Sequence, residues 1–491
     1  MLKSFQVFVP VLLPILSGIM IGFFRPLRKL RAQRVFLIAA LALNAAAVFM
    51  LIVQPEMNFE LFRLSERIPI IFKTDSLAQL FCGLASLIFL IVGIYSPEYM
   101  KHEGNESRFY MFYLIVLGML MGFGLSGNMM TLFLFFELST LISFPLVMHS
   151  MEKEAVAAAF KFLYYSVAGA SLALIGFIFV YIYGTTLEFV PGGVLNLEKL
   201  AGREGQMLAV IFLTIVGFGA KAGMFPLHAW LPAAHPVAPA PASAVLSGVI
   251  TKAGAFAVIR FVYYLVGADF IRGTWVQISW ISLALFSIIM GSALAFREPG
   301  LKRRLAFSSI SQVSYVMLGL GVLNADGLIG ALSHTVFHSI VKDALFLISG
   351  VILLKTRKTD AADLRGIGKQ APATMWCFML LALSVVGVPP TSGFISKWYL
   401  SLGALASGPV FISWMGPVAL LLSALLSAGY LLPIAIHGFF PGEGYENGHI
   451  SLDPGFSMLL PVILLTAAAV FLGVFPGALI SFFEGIAAGV S

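Results

Sequence analysis

The order of apolar and polar residues along the chain predicts a helical protein that crosses a membrane many times. Long apolar runs alternate with short polar connections, and each run has roughly 18–28 residues, enough for an α-helix to span the hydrocarbon core of a bilayer. No polar stretch exceeds roughly 25 residues, which excludes a soluble domain of any size. About fourteen runs can be placed, at 5–23, 35–53, 77–97, 109–126, 129–149, 156–183, 206–227, 238–265, 275–296, 304–323, 328–354, 373–400, 411–437 and 457–483.

Two of these runs are interrupted by glycine and proline. The seventh has several glycines and Pro226 around Lys221, and the twelfth has Pro389 and Pro390 before Lys397. Such residues favour a broken helix, and irregular backbone at membrane depth is tolerated only within protein or against water. Because the broken spans are five apart and an odd offset reverses direction, we predict two inverted five-helix repeats, spans 4–8 and 9–13. The predicted parts of the chain are an N-terminal three-helix segment at 1–108, the repeats at 109–265 and 266–437, and a C-terminal helix at 438–491.

Composition supports an all-α polytopic membrane protein. Of the 491 residues, 59% are hydrophobic and 11% charged, whereas soluble domains carry about 25% charged residues. Met1–Phe24 lacks a basic start and a small-residue cleavage site, so it is interpreted as a first span. The two cysteines, Cys82 and Cys377, lie far apart in apolar runs and indicate neither a disulfide framework nor a metal site. With no cysteine cluster and no dinucleotide fingerprint in the sequence, we expect no cofactor and no redox chemistry in this chain.

Positive charges indicate the orientation of the spans. In the predicted topology seventeen of the 30 Lys and Arg residues fall on one side and seven on the other. By the positive-inside rule the richer side, which includes the loop from Arg297 to Arg304, is cytoplasmic, and both termini are then outside. The formal charge of +7 therefore reflects cytoplasmic loops and not a nucleic-acid partner. The remaining Lys and Arg lie in or at the ends of spans, where Lys161 and Arg260 are expected to snorkel to the headgroups.

Glu137, Lys221 and Lys252 are candidates for ion chemistry, because a charge at membrane depth is expected only beside a partner or a water-filled cavity. Glu137 lies mid-span, and a desolvated carboxylate holds its proton more tightly unless a cation compensates. Lys221 is predicted at a similar depth and Lys252 near the midpoint of span 8. A structural ion pair that joins two helices is the alternative for Glu137 and Lys221.

Span 11 carries three ionisable groups at helical spacing. His334, His338 and Lys342 recur every four residues and so share one helix face. Histidine titrates near neutral pH and suits a proton relay, whereas interhelical hydrogen bonds are the structural alternative. Asp343 projects about 100° away from this face. In span 10, hydroxyl and amide groups could hold water or bond helix to helix, at Ser308, Ser309, Ser311 and Gln312.

Several of these stretches together resemble one family. The sequence contains FFEL, GAKAGMFPLHAWLPAAH, ITKAGAF, AFSSISQVSY, HSIVKDALFL and GVPPTSGFISKWYL in this order. They are similar to the antiporter-like subunits of complex I, of Mrp cation/proton antiporters (including the D-type subunit) and of energy-converting membrane hydrogenases. The similarity runs from about Phe109 to Pro433 and implies the family's fourteen-helix core. Asp343 is a departure, because the family usually has a small residue there.

The resemblance also implies roles. Glu137 and Lys221 correspond to the family's carboxylate–lysine pair and Lys252 to its central lysine. His334, His338 and Lys342 correspond to the connecting group, and Lys397 to the distal exit residue.

From these observations we expect a proton-translocating membrane subunit, with coupling to Na⁺ left open. Its expected partners are the lipid bilayer and the other membrane subunits of a larger complex. That complex is expected to be an Mrp-type antiporter, a complex I-type oxidoreductase of NADH:quinone or ferredoxin type, or an energy-converting hydrogenase. The expected location is the cell (inner) membrane, with multiple passes. A stand-alone secondary transporter of a small solute is the alternative, and a purely structural spacer with inert lysines is a second one.

Overall fold

The computed structural model describes residues 5–408, 410–442 and 451–490, and it is a polytopic helical bundle as predicted. The longer helices are α1 Val9–Phe23, α2 Leu30–Ile52, α3 Ser76–Glu103, α4 Glu106–Gly124, α5 Met129–Val147, α6 Lys153–Tyr183, α7 Glu204–Ala222, α8 Leu231–Val237, α9 Ala240–Val266, α10 Trp275–Arg297, α11 Leu301–Gly321, α12 Ala325–Thr356, α13 Pro372–Val386, α14 Ser392–Leu405, α15 Val410–Phe439, α16 Phe456–Val474 and α17 Gly477–Val490.

Within the described residues, twelve helices are long and apolar enough to cross a membrane. They account for most of the predicted spans, and α11 and the pair α13–α14 occupy the predicted positions of spans 10 and 12. The predicted last span is wrong as a single helix. It covers α16 and part of α17, because Pro476, which has no backbone N–H, separates them.

Both predicted helix breaks are present. The helix α7 ends at Gly223, with φ +82°, and the chain runs without regular helix to α8. The helix α13 ends at Gly387, with φ +89°, before α14 begins at Ser392. A left-handed glycine is the usual end of an α-helix. The symmetry of two inverted repeats stays a prediction.

The helices α9 and α12 form the centre of the molecule. Every residue of α9 is buried, and so are most residues of α12. The helix α9 is not regular, because π-helical turns at Leu246–Ile250 and Val262–Val266 flank the α-helical stretch Thr251–Phe261. A π turn has i→i+5 main-chain hydrogen bonds in place of the i→i+4 bonds of an α-helix, and such turns are frequent at functional sites.

Arg260 of α9 does not snorkel to the headgroups, so that expectation is wrong. Its side chain is fully buried and donates to both carboxylate oxygens of Asp75, over 2.6 Å and 2.7 Å. Asp75 also caps α3 by accepting from Ala78 N. The buried pair therefore fixes the start of α3 to the end of α9.

A β-hairpin was not predicted. Its strands, β1 Asn58–Ser65 and β2 Ile68–Lys73, pair antiparallel between α2 and α3. Gly127 N donates to Ile71 O over 2.8 Å, which attaches β2 to the α4–α5 connection. The strand β1 is mostly exposed, and there Arg63 hydrogen-bonds Glu60 and lowers the pKa of that carboxyl group.

Candidate functional site

Lys221 reaches the turn of α5 that carries Glu137. Its Nζ donates to Phe136 O over 2.7 Å and to Ser139 Oγ over 2.5 Å, and it lies 4.0 Å from the centre of the Phe136 ring. The Glu137 carboxylate is close enough to interact electrostatically with Lys221. Among the described residues, however, no ion pair within 4.0 Å joins the two, and Glu137 Oε1 has no hydrogen-bond partner. The ammonium is thus beside the carboxylate without being bound to it.

Close helix packing sets the position of Lys221. A Cβ atom at Gly169 of α6 would lie 2.6 Å from Ala220 Cβ and from Gly217 O, so only glycine allows α6 and α7 to approach this far. After the break, Trp230 Nε1 donates to Ala220 O over 2.9 Å. The last turn of α7 is therefore held on both sides of the lysine.

Lys252 lies directly after the first π turn of α9. Its Nζ donates to Ser247 O within that turn, and Thr251 Oγ1 donates to the same carbonyl over 2.8 Å. The Ser247 hydroxyl group is 2.8 Å from Ser309 Oγ of α11. The π turn thus supplies a main-chain oxygen to the ammonium, and a serine predicted as a polar contact of span 10 supports that turn.

His334 and His338 face each other along α12. Their rings are 5.6 Å apart and nearly parallel, at 10°, which confirms the shared helix face. His334 Nδ1 is 2.9 Å from Ser396 Oγ of α14. Both ring nitrogens of His338 are buried without a partner among the described residues. Lys342 Nζ, one turn further, donates to Leu305 O of α11 over 3.2 Å.

A small cavity adjoins the two histidines. Its volume is about 10 Å³, the size of about one water molecule. Gln312, His334 and His338 line it, and four of their nitrogens lack a protein partner among the described residues: Gln312 Nε2, His334 Nε2 and both ring nitrogens of His338. Ser384 and Val385 of α13 line the other side. A single water there would have the polar partners that a buried water needs.

Lys397 binds the end of the preceding half-helix. Its Nζ donates to Val385 O over 2.7 Å and to Val386 O over 2.6 Å, and these are the last carbonyl groups of α13. The Tyr315 ring lies 5.4 Å from this ammonium and 5.1 Å from the His334 ring. Lys397 and the α12 histidines are therefore separated by Tyr315 and the small cavity.

The structure brings the predicted residues into three adjacent groups. Glu137 and Lys221 form the first. Lys252, His338 and Lys342 lie within electrostatic range of one another and form the second, and Lys397 lies within range of His334 in the third. Sequence reasoning missed the partners that hold them. Ser139 and Ser396 lie close in sequence to predicted residues, and this nearness is only a weak indication of their contacts. For Tyr315, nothing in the sequence indicates its contacts except its place in the AFSSISQVSY stretch.

The fold, its two broken helices and its buried lysines define the class of antiporter-like membrane subunits. A family profile described as NADH:quinone oxidoreductase/Mrp antiporter, TM, matches residues 126–423, and the chain belongs to this family.

Relatives in this family come from several kinds of complex. The chain is 34% identical to the N-type subunit of an NADH-quinone oxidoreductase of Desulforudis audaxviator, over 82% of this chain and 80% of that one. It is 30% identical to the D-type subunit of an Na(+)/H(+) antiporter of Alkalihalophilus pseudofirmus, again over 82% and 80%. A hydrogenase-4 component B of Escherichia coli is 31% identical over 72% of this chain and 54% of its own length.

Solved structures share the fold. A chain of an archaeal membrane-bound sulfane sulfur reductase superimposes with a TM-score of 0.87 at 22% identity, over 99% of this chain and 98% of that one. A chain of the Mrp complex of a Dietzia species gives 0.84 at 22% identity, over 100% and 98%. These structures are multisubunit membrane complexes.

Proposed function

We propose that this protein translocates protons along the three groups of ionisable residues, as the ion-conducting subunit of a larger membrane complex. The carrying observation is that the helices with these groups pack on one another in the buried core: Lys221 of α7 bonds α5, α7 contacts α9, α9 contacts α12, and α12 contacts α14. A membrane protein places ionisable side chains in its interior at high cost, and they commonly mark ion pathways.

The first step is electrostatic. Lys221 has two sets of partners within reach, the Phe136 carbonyl and Ser139 hydroxyl on one side and the Glu137 carboxylate on the other. Movement of the ammonium towards Glu137 reduces the positive field at Lys252, and movement away increases it. The proton affinity of Lys252 then follows the Glu137–Lys221 distance.

The proton then passes along α12 and out through the second break. Neither ring nitrogen of His338 has a partner among the described residues, so the ring can accept a proton on one nitrogen and donate from the other. A water in the small cavity connects His338 with the side of α13 whose carbonyl groups hold Lys397. Lys397 releases the proton on the exit side.

The complex and the membrane follow from the family. Relatives are named as subunits of NADH-quinone oxidoreductases and Na(+)/H(+) antiporters, and we propose the same kind of assembly here, with coupling to Na⁺ open. The proposed location is the cell membrane with both termini outside.

The experiment is proton flux in proteoliposomes that contain the purified complex, normalised to assembled protein. Lys252→Gln is expected to abolish flux, whereas Lys161→Gln, which changes an exposed lysine, is the matched control. Full flux from Lys252→Gln would instead support a structural spacer. Transport by the isolated chain alone would support the stand-alone transporter.

A further inference from the structure

The carboxyl group of Asp343 is buried in the core of the protein. Its side chain has no exposed surface, and neither carboxylate oxygen has a hydrogen-bond partner among the residues that the structure describes. A buried polar group in this condition is costly, and a buried charge is more so. The function proposed above gives no role to Asp343.

Gly248 of α9 makes room for this carboxyl group. A Cβ atom built on Gly248 would overlap both carboxylate oxygens of Asp343. Ser339, one turn before Asp343 on α12, donates from Oγ to Gly248 O over 2.5 Å. Packing of α12 on α9 therefore places the carboxyl group against the π turn Leu246–Ile250.

Lys252 meets the same turn. Its Nζ donates to Ser247 O, next in sequence to Gly248, so ammonium and carboxyl group contact neighbouring residues of one turn. The Lys252 ammonium and the Asp343 carboxylate attract each other electrostatically, so each favours the charged form of the other. Tyr113, which also faces Asp343, uses its hydroxyl hydrogen for Phe89 O over 2.8 Å. The other titratable groups around the pair, among the described residues, are Lys342, His338, His334 and His235.

We propose that Asp343 is a further proton-exchanging residue of this path and the direct partner of Lys252. The inference rests on the proposed function. In the exchange, one N–H bond of the Lys252 ammonium breaks and one O–H bond forms on Asp343. The charged pair becomes an amine and a carboxylic acid, and no other reactant is needed. Burial favours the neutral pair and mutual attraction favours the charged pair, so the two forms are balanced against each other.

The first test is proton flux of the whole complex with Asp343→Asn, which keeps the size of the side chain and removes its acid. We expect flux to fall by roughly tenfold or more at normal assembly. The matched control is Asp326→Asn, the same change at the start of the same helix, which is expected to keep wild-type flux. Wild-type flux from Asp343→Asn overturns the inference.

The second test is infrared difference spectroscopy of the intact complex between high and low pH. We expect a carboxylic-acid C=O band in the wild type and in Glu137→Gln. Loss of this band in Asp343→Asn, together with a change of the band in Lys252→Gln, supports the proton exchange. A band set that is identical in the wild type and Asp343→Asn overturns it. If Asp343→Asn does not assemble, the infrared spectrum of Lys252→Gln provides the test. A carboxylic-acid band that is unchanged from the wild type in this variant overturns the pairing of Asp343 with Lys252. A wild-type complex without proton flux contradicts the proposed function, and the infrared comparison still decides the role of Asp343.

Discussion

At the scale of single residues, the lysines of the path share one kind of partner. Each ammonium is held by main-chain carbonyl oxygens, which stabilise a positive charge without a fixed counter-charge. The bonds are Lys221 to Phe136 O, Lys252 to Ser247 O, Lys342 to Leu305 O, and Lys397 to Val385 O and Val386 O. A carbonyl group does not titrate, so the charge of each lysine can change while its main-chain hydrogen-bond acceptor stays the same.

Lys397 gives the sharpest test of a titrating lysine. Arginine keeps the positive charge but stays protonated at any working pH. We therefore expect Lys397→Arg to block proton flux in proteoliposomes nearly as fully as Lys397→Ala, at normal assembly. A fixed-charge role, such as capping α13, predicts instead that arginine restores much of the flux, and that result would remove Lys397 from the path.

A substitution of Glu137 distinguishes an electrostatic effect of this carboxylate on Lys221 from a role in holding the structure together. Glu137→Gln should abolish proton flux and leave assembly nearly intact, because the carboxylate acts on Lys221 through its charge and makes no direct bond to it. The measurement is flux per assembled complex, with Ser139→Ala as a comparison that removes a direct bond to Lys221. Equal loss of assembled complex would indicate a structural pair, since breaking a buried ion pair costs about 3–5 kcal/mol.

Residue type and spacing were enough to find the charged groups, because charge is rare in an apolar chain. They could not show that Lys221 bonds Phe136 O and Ser139 and not Glu137, since that depends on the approach of α5 and α7. The same holds for the unpartnered state of Asp343, which depends on a glycine almost a hundred positions away, at Gly248.

At the scale of elements, the break in span 12 depends on Gly387. Its φ of +89° is strained for any other residue, and a Cβ atom there would lie 2.8 Å from Lys397 Cδ. Gly387→Ala is expected to cost about 1–3 kcal/mol and to reduce flux by displacing the lysine. Thermal unfolding of the complex checks the first effect. Gly205→Ala, in open space at the start of α7, is the control and should not lower the melting temperature. An unchanged melting temperature for Gly387→Ala would contradict the assigned backbone role.

Glycine and proline residues predicted the two helix breaks, whereas nothing in the sequence indicated the π turns of α9 or the β-hairpin. A π turn needs no special residue, and Leu246–Ile250 looks like any apolar helix. The hairpin turns at Glu66–Arg67, without the glycine or asparagine that marks tight hairpins. Long apolar helices were predicted well because length and hydropathy alone define them.

At the scale of the whole molecule, the pair Arg260–Asp75 joins the N-terminal segment to the core. Arg260→Ala leaves Asp75 buried and unpaired, and we expect a loss of about 3–5 kcal/mol of stability. The double variant with Asp75→Ala should recover part of that loss in a denaturation experiment. The control is Arg272→Ala, from the exposed pair with Asp269. Arg260→Ala as stable as the control would show that the pair is not a structural link.

Orientation in the membrane is a separate prediction at this scale. The loop from Arg297 to Arg304 should be cytoplasmic, and Arg272 should face outside. Single cysteines introduced by Arg303→Cys and Arg272→Cys can be labelled in intact cells and inverted vesicles, since the native Cys82 and Cys377 are buried. The predicted outer C-terminus, Ser491, lies outside the described residues. Labelling of the Arg303→Cys variant from outside would overturn the topology.

The bonds of Lys397 have one more consequence, for the mechanics of release. An ammonium has three hydrogens, and two of them are used by Val385 O and Val386 O. The neutral amine keeps two hydrogens, so the end of α13 stays capped after the third has left. We therefore expect this last transfer to be as fast as solvent rearrangement allows, because no helix has to move before the proton departs.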